Sequence, residues 1–144
     1  MKIFEVEQKI KAGVIPFYKT ETETFMMLMI PSDPQFGGAD PQLAKGHIDG
    51  AETPMVAAIR EAEEELGLRK SNIINSFHIT TQQITGLDAT YPLHIFGVEI
   101  EDPEAFDAPH YETGWRGWMP IADVMSKARA SQRPIFAKAV EMLK

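Results

Sequence analysis

Three glutamates near the middle of the chain, Glu61, Glu64 and Glu65, have a spacing that suits metal chemistry. On a helix, residues at i, i+3 and i+4 lie on one face about a turn apart, so three carboxylates would converge there. The like charges of Glu61 and Glu65 repel each other at a cost of roughly a few tenths of a kcal/mol. Arg60 can reach Glu64, but one arginine cannot neutralise the cluster, and we therefore expect a bound hard cation.

Magnesium suits this set of ligands because it prefers oxygen, keeps several waters, and binds through a few carboxylates plus substrate phosphates. The chain contains no cysteine, which excludes disulfides, thiolate zinc sites and a cysteine nucleophile. The pattern favours phosphate chemistry at an oxygen-ligated metal ion. The alternative is a solvated acidic helix face, which an isolated run of glutamates would indicate.

The residues around the cluster follow a fixed spacing in the segment 46–68, GHIDGAETPMVAAIREAEEELGL. Gly46 is followed after five residues by Glu52 and after seven more by the Arg-Glu pair, and the segment ends in glycine and leucine. This spacing resembles the Nudix box at every defined position, with the small Ala62 at its apolar site. Seven fixed identities at set offsets make the match specific.

The resemblance to the Nudix family implies a role for each residue of the box. Magnesium, or manganese in its place, would be bound at a site to which the following residues are assigned: Glu61, Glu64, Glu65, Glu52 and Gly46. Arg60 would orient the carboxylates by salt bridging, and Glu52 would support the site or bind metal through water. Gly46 and Gly67 would serve backbone geometry, since glycine permits the left-handed turn that ends a helix.

The implied reaction is attack of water on a phosphorus of a diphosphate linkage in a nucleoside diphosphate joined to another group. Glu65 is the first candidate for the general base, with Glu64 and Arg60 in the catalytic set. In some families of this type the base comes from a later loop, where Glu101, Glu104 and Glu112 are candidates or ordinary surface acids. Glu112 ranks highest of these because it lies just before a predicted strand.

Lys45-Gly46-His47 resembles the K-G-H that opens the box of dinucleoside polyphosphate and diphosphoinositol polyphosphate hydrolases. The chain departs from those families where it has Ala44 before the lysine and Ala51 before the box glutamate, instead of proline and glycine. Lys45 is a candidate phosphate contact. His47 is another, unless it is a loop histidine that only hydrogen-bonds the backbone.

Aromatic residues outside the box provide candidates for binding a base. Phe36 lies in the turn-rich segment 31–38 and could stack on a base or tuck against the core. Four further residues could line a base pocket, although core packing is the favoured role for each: Tyr91, His94, Tyr111 and Trp115.

The elements that must position these residues follow from apolar periodicity. Thr53 and Pro54 mark a helix start and Gly67 its stop. We predict strands at Lys9–Tyr18, Thr24–Ile30, Ile73–Ile84, Tyr91–Ile100 and Trp115–Met119, a short helix after Pro120, and a last helix opened by Pro134. The segment from Pro31 to His47 is predicted to be a loop, with the run TFMMLMI before it buried on both faces.

This order of strands, central helix, strands and terminal helix lacks the regular alternation of a doubly wound sheet. We therefore predict an α/β/α sandwich around a mixed β-sheet, formed as a single domain by residues 1–144. The hydrophobic share of 44% and the charged share of 24% are those of a globular protein.

The net charge of −7 disfavours electrostatic binding to the backbone of nucleic acid, because such binding needs clustered lysine and arginine. The expected partner is a small nucleotide-type molecule, with no membrane association because no long apolar run is present. We expect a cytoplasmic protein, either monomeric or homodimeric. Five alternative functions stay open: an ADP-ribose or nucleotide-sugar pyrophosphatase, a nucleoside triphosphate pyrophosphatase, removal of pyrophosphate from RNA 5′ ends, a purely structural acidic domain, and a nucleotide-binding domain without catalysis.

Overall fold

The computed structural model describes residues 10–85 and 90–143, and within them the chain forms six strands and three helices. The strands are β1 (Lys11–Lys19), β2 (Thr24–Pro31), β3 (Ala44–His47), β4 (Ile73–Thr85), β5 (Thr90–Ile100) and β6 (Thr113–Pro120). The helices are α1 (Pro54–Leu66), α2 (Ile121–Lys127) and α3 (Arg133–Leu143). None of the helices in these two ranges has the length and apolar character needed to cross a membrane.

The strands form one mixed sheet in the order β4-β5-β1-β2-β6, in which β1 and β5 are parallel and the other pairs are antiparallel. β3 pairs with the first half of β1, from Lys11 to Val14, whereas β2 pairs with its second half, from Phe17 to Lys19. β2 and β3 therefore lie along the same edge of β1. Gln42, two residues before β3, pairs with Met29 of β2 through two backbone hydrogen bonds.

Both faces of the sheet are buried, each under its own helices. On one face α1 packs through small side chains such as Ala58 and Ala62 onto the sheet, where it covers residues such as Val98. On the other face α2 and α3 pack through Phe136 and other apolar residues onto the sheet residue Ile95. The prediction of an α/β/α sandwich around a mixed sheet is confirmed.

The helix α1 has the ends that the sequence predicts. The hydroxyl of Thr53 accepts a hydrogen bond from the backbone N–H of Val56 at 3.2 Å, and Pro54 occupies the first turn. Gly67 ends the helix with φ 77°, a left-handed conformation that glycine adopts without steric cost. A side chain on Gly67 would also overlap the carbonyl of Asp107, so glycine is required there for two reasons.

The loop predicted from Pro31 to His47 is wrong in two places. Pro34–Phe36 forms one turn of 3-10 helix, and Ala44–His47 forms β3, so His47 ends a strand and is not a loop histidine. The sequence AKGH has no β-branched or aromatic residue to favour a strand. Pairing with β1 makes it one. The other predicted strands and helices are present with ends shifted by one or two residues; the predicted first residue of β1, Lys9, lies outside the described residues.

Candidate functional site

The three glutamates of α1 differ in exposure although they share a side of the helix. Glu61 is buried, Glu65 is half-buried, and the side chain of Glu64 is 52% exposed. The carboxyl of Glu65 lies beside that of Glu61 and, when protonated, donates a hydrogen bond to it. Burial and the negative charge of Glu61 raise the pKa of Glu65 well above its usual range. This pair of carboxylates would be relieved by a cation.

Arg60 binds the other carboxylates of the box. Its guanidinium donates two hydrogen bonds to Glu52, at 2.8 and 3.0 Å, and one each to Glu61 at 2.7 Å and Glu64 at 3.2 Å. It also donates to the backbone carbonyl of His47 at 2.9 Å. The hydrogen bonds to Glu52 lower the pKa of that carboxyl and raise the pKa of Arg60. Arg60 thereby holds the box loop, the helix and the end of β3 together.

Glu65 is oriented from the side of β3. The backbone N–H of Lys45 donates to Glu65 Oε1 at 3.3 Å. The next residue, Gly46, faces Glu61, and a Cβ on Gly46 would overlap the Glu61 carboxyl group. Because glycine has no side chain, β3 can lie directly against the two carboxylates.

These residues fit a hard cation by the chemistry of their donors. Glu61 and Glu65 present oxygen ligands side by side in a half-buried setting, where magnesium would offset their repulsion. Within residues 10–85 and 90–143, no three acidic, histidine or cysteine side chains gather into a complete metal-binding group. Arg60 pairs with both Glu61 and Glu64, and the Glu64 side chain is the more exposed of the two, so Glu61 and Glu65 are the carboxylates that lie side by side. Magnesium takes its remaining ligands from water and phosphate.

A cavity of about 480 Å³ lies beside the end of β2 and the start of β3. Its lining includes Lys45 and Glu65 from the box side and Phe36, Tyr111 and Glu112 from two other segments. Phe36 is 74% exposed and Tyr111 is 81% exposed, so both aromatic rings are available at the rim. The cavity therefore places Glu65, one member of the carboxylate pair, near two exposed aromatic rings.

The segment that carries Glu112 is fastened to the end of α1. The hydroxyl of Thr113 donates to the backbone carbonyl of Glu65 at 2.8 Å, and Arg116 donates to the last carbonyl of the helix. The carbonyl of Glu112 accepts from the backbone N–H of Ser32 at 2.8 Å. Sequence reasoning missed Thr113 and Arg116. The one available signal was an arginine set between two tryptophans in a short predicted strand.

The remaining candidate acids lie elsewhere. Glu101 and Glu104 follow the end of β5 and do not contribute to the lining of the cavity. The carboxylate of Glu112 is exposed and lies 3.4 Å from His110 Nδ1. Of the three later-loop candidates, Glu112 therefore lies at the same cavity as Glu65.

The candidate phosphate contacts occupy β3. Lys45 is half-buried at the cavity, and burial together with the charges of Lys11 and Arg129 lowers its pKa. His47 ends β3 in an exposed position and pairs with Lys11. These positions put Lys45, rather than His47, next to Glu65.

The four candidate base-pocket residues divide into two groups. Tyr111 is 81% exposed and Trp115 is 40% exposed, so the expectation that they pack in the core is wrong. Tyr91 is half-buried with the Lys11 ammonium 5.5 Å from its ring centre, and His94 Nδ1 lies 3.0 Å from the hydroxyl of Thr81. Neither Tyr91 nor His94 lines the cavity.

Comparison with known proteins gives a family match over nearly the whole chain. Residues 8–139 match the family model described as the NUDIX domain. Among curated proteins, a CMP-5'-(N-acetyl-N-hydroxy-3-aminopropyl)phosphonate hydrolase of Streptomyces rubellomurinus is 29% identical over 102 residues. The match covers 71% of this chain and 48% of that protein, so the chain spans about half the length of its curated relative.

Solved structures share the fold at low sequence identity. A C. elegans Ap4A hydrolase in a binary complex has a TM-score of 0.76 and 20% identity, over 93% of this chain and 96% of that one. The NUDIX domain of Shewanella oneidensis NrtR, complexed with ADP ribose, has a TM-score of 0.78 and 16% identity, over 96% and 90% of the two chains. At these identities the likeness is one of fold.

Proposed function

The chain belongs to the NUDIX domain family, and we propose that it is a metal-dependent hydrolase that cleaves a diphosphate linkage in a nucleoside diphosphate joined to another group. The observation that carries this proposal is the Glu61–Glu65 pair, in which Glu61 lies against Gly46 and Glu65 borders an open cavity. A surface helix would gain nothing from holding two carboxylates together in a half-buried position. A site for a cation that meets phosphates would require it.

The metal-binding part of the proposal uses the carboxylates of α1. Glu61 and Glu65 would hold magnesium or manganese, with Glu64 as a further ligand. When bound, the metal polarises phosphoryl oxygens and offsets the charge of the leaving group. Arg60 and Glu52 support the ligands, since their two parallel hydrogen bonds fix the guanidinium that also reaches Glu61.

Glu65 is our first candidate for the base that accepts a proton from the attacking water. Its carboxylate borders the cavity, and the Lys45 N–H fixes one of its oxygens. Glu112 is the second candidate, because it borders the same cavity. A base must lie within hydrogen-bond reach of the proton that it removes, and a water held in this cavity would have both carboxylates on its walls.

The finer proposal concerns the substrate. Phe36 and Tyr111 are exposed at the rim and would contact a nucleobase, while Lys45 would contact phosphate. The K-G-H that precedes the box supports a dinucleoside polyphosphate as substrate. An ADP-ribose or nucleotide-sugar substrate is the second candidate, supported by the likeness to a domain solved with ADP ribose.

A substrate panel tests the proposal. The protein would be incubated with diadenosine tetraphosphate, ADP-ribose, nucleotide sugars and nucleoside triphosphates, each with magnesium or manganese, and the products resolved by chromatography. We expect one clearly preferred substrate and no product in EDTA. If no substrate is cleaved with either metal, the hydrolase proposal fails and a nucleotide-binding domain without catalysis takes its place.

A matched pair of variants shows whether any hydrolysis comes from this site. Glu65→Gln removes the proposed base and metal ligand, and Glu63→Gln makes the same change two residues away on the same helix. Product release that survives Glu65→Gln would come from another site or another protein in the preparation.

A further inference from the structure

The last turn of α1 carries two of the candidate metal ligands and has an unfavourable charge. Glu63, Glu64 and Glu65 are consecutive there, and the turn contains no basic residue. The C-terminus of a helix has a partial negative charge, so carboxylates destabilise this end whereas cations stabilise it. Helix ends also fray, and fraying would separate Glu65 from Glu61, one turn earlier. The last turn therefore needs support from outside the helix.

The backbone carbonyls from Glu64 to Gly67 all accept hydrogen bonds from one segment, residues 107–116. The acceptors and their donors are the carbonyl of Glu64 with the N–H of His110 at 2.8 Å, the carbonyl of Glu65 with the hydroxyl of Thr113 at 2.8 Å, the carbonyl of Leu66 with the guanidinium of Arg116, and the carbonyl of Gly67 with the N–H of Asp107 at 2.7 Å. A helix cannot satisfy its last carbonyls from within. Residues 107–116 therefore complete the end of α1.

Arg116 places a positive charge at this end of the helix. Its half-buried guanidinium also donates to the backbone carbonyl of Asp107 at 2.6 Å. Within residues 10–85 and 90–143 it forms no ion pair with an acidic side chain, and its contacts are with carbonyl oxygens. A cation in this position offsets the negative end of the helix dipole.

Thr113 connects the same support to the cavity. Its side chain lines the cavity together with Glu65 and Glu112. On the other side Thr113 pairs with Pro31 at the end of β2, and the carbonyl of Glu112 accepts from the backbone N–H of Ser32. The segment is thus held by the sheet while it holds the helix.

We propose that Thr113 and Arg116 are positioning residues for the metal site, which hold the last turn of α1 and keep the Glu65 carboxyl beside that of Glu61. This inference rests on the metal-binding part of the proposed function. Neither residue would bind the metal, because both act on backbone carbonyls. Arg60 fixes carboxylates of the box through their side chains, whereas Thr113 and Arg116 fix the backbone that carries Glu65.

Amide hydrogen exchange in the metal-free protein tests whether these contacts hold the turn. Thr113→Val removes the hydroxyl and keeps the shape of the side chain, whereas Thr113→Ser keeps the hydroxyl. The backbone N–H groups of Gly67 and Leu68 donate to carbonyls of α1. Their exchange should become about tenfold faster in Thr113→Val and stay within about twofold in Thr113→Ser, with the first half of α1 unaffected. Unchanged exchange in Thr113→Val, or equally fast exchange in Thr113→Ser, would overturn the proposal.

Manganese binding, followed by electron paramagnetic resonance of the free ion, tests the consequence for the metal site. Thr113→Val and Arg116→Gln should each weaken binding about tenfold or more, and Thr113→Ser should bind nearly as tightly as the unchanged protein. Thr81→Val is the matched control, because it removes a hydroxyl that contacts two histidine rings on β4 and β5. It should leave manganese binding unchanged. Binding by Thr113→Val equal to that of the unchanged protein would overturn the proposal.

The two measurements separate this inference from the proposed function. If the unchanged protein binds no manganese, the proposed metal site fails and this inference fails with it. If the unchanged protein and Thr113→Val bind manganese equally, only this inference fails. The absence of hydrolysis in the substrate panel would alter neither measurement.

Discussion

Arg60 of α1 contacts one face of β3, and the side chain of Lys45 points from the other face of that strand. The charged groups around the two side chains differ. Arg60 has four acidic side chains within 4 Å: Asp49, Glu52, Glu61 and Glu64. Lys45 forms no ion pair with an acidic side chain within residues 10–85 and 90–143, and it borders the cavity that Glu65 also lines. The first region holds its carboxylates in place through internal ion pairs, whereas the second region borders an open cavity. The difference separates the part that would do chemistry from the part that would choose the substrate.

The largest loss of activity should follow a substitution in the carboxylate pair. Glu65→Gln should lower kcat by about a thousandfold or more, because it removes both a metal ligand and the first candidate base. Steady-state kinetics with the preferred substrate would measure the change, and circular dichroism would check the fold. Glu63→Gln should stay within about twofold. If Glu65→Gln is about as active as the unchanged protein, the assignment of Glu65 as metal ligand and base is wrong.

A substitution at Gly46 tests the contact between β3 and the carboxylates. Gly46→Ala places a methyl group where the end of the Glu61 side chain lies, and this flexible end can move aside. Activity should fall about a hundredfold because a ligand is displaced, while the free energy of unfolding falls by no more than about 1–2 kcal/mol. Urea unfolding and kinetics would be compared.

Gly97→Ala is the matched control for this test. Gly97 lies in β5 close to Phe77 and Ile79, away from the carboxylates. It should lose stability to a similar extent while the folded protein keeps its kcat. If Gly97→Ala and Gly46→Ala lose activity equally, the loss comes from lower stability. The contact between β3 and the Glu61 carboxylate would then have no role in activity.

A smaller effect is expected when Arg60 loses its hydrogen bonds to the box carboxylates. Arg60→Lys keeps the charge but loses the two parallel hydrogen bonds to Glu52. The magnesium concentration that gives half-maximal activity should rise about 10- to 100-fold. Arg69→Lys, in an exposed pair with Asp107, should leave the magnesium response unchanged. An unaltered response in Arg60→Lys would mean that the guanidinium does not orient the ligands.

The smallest effect should come from the rim of the cavity. Tyr111→Ala or Phe36→Ala would remove an exposed ring that we propose contacts the base, which should raise KM about tenfold with kcat unchanged. Ile74→Ala removes an exposed apolar side chain on β4 and should not alter KM. If kcat falls and KM does not rise, the two rings do not contact the nucleobase of the substrate and act instead on the catalytic step.

The carboxylate region of α1 could be predicted from the sequence because its residues are close together along the chain. The caps of α1 at Thr53 and Gly67, and the reach of Arg60 to Glu64, all depend on spacings of a few residues. Helix geometry fixes such spacings, so they can be inferred without knowing the rest of the fold. The α/β/α sandwich followed in the same way from apolar periodicity.

The other region is built from segments far apart in the chain. Lys45 takes its place through the pairing of β3 with β1, and a backbone hydrogen bond from Arg129 to Pro41 holds the segment that leads into β3. Glu112 approaches Glu65 because the segment after β5 bonds to the end of α1. No periodicity encodes these contacts, and the strand β3 itself lacks residues of high β-propensity. Local sequence patterns therefore predicted the carboxylates and named single candidates beside them, such as Lys45, Phe36 and Glu112, but could not show that these candidates line one cavity.

Binding of manganese to the protein tests the central claim, that Glu61 and Glu65 hold the metal. Electron paramagnetic resonance of free Mn²⁺ would be followed during titration with the unchanged protein, with Glu65→Gln, with the double variant Glu61→Gln/Glu65→Gln, and with Glu63→Gln. We predict that the unchanged protein and Glu63→Gln bind manganese equally, that Glu65→Gln binds it more weakly, and that the double variant does not bind it. Equal binding by all four proteins would contradict the account and place any metal site elsewhere in the molecule.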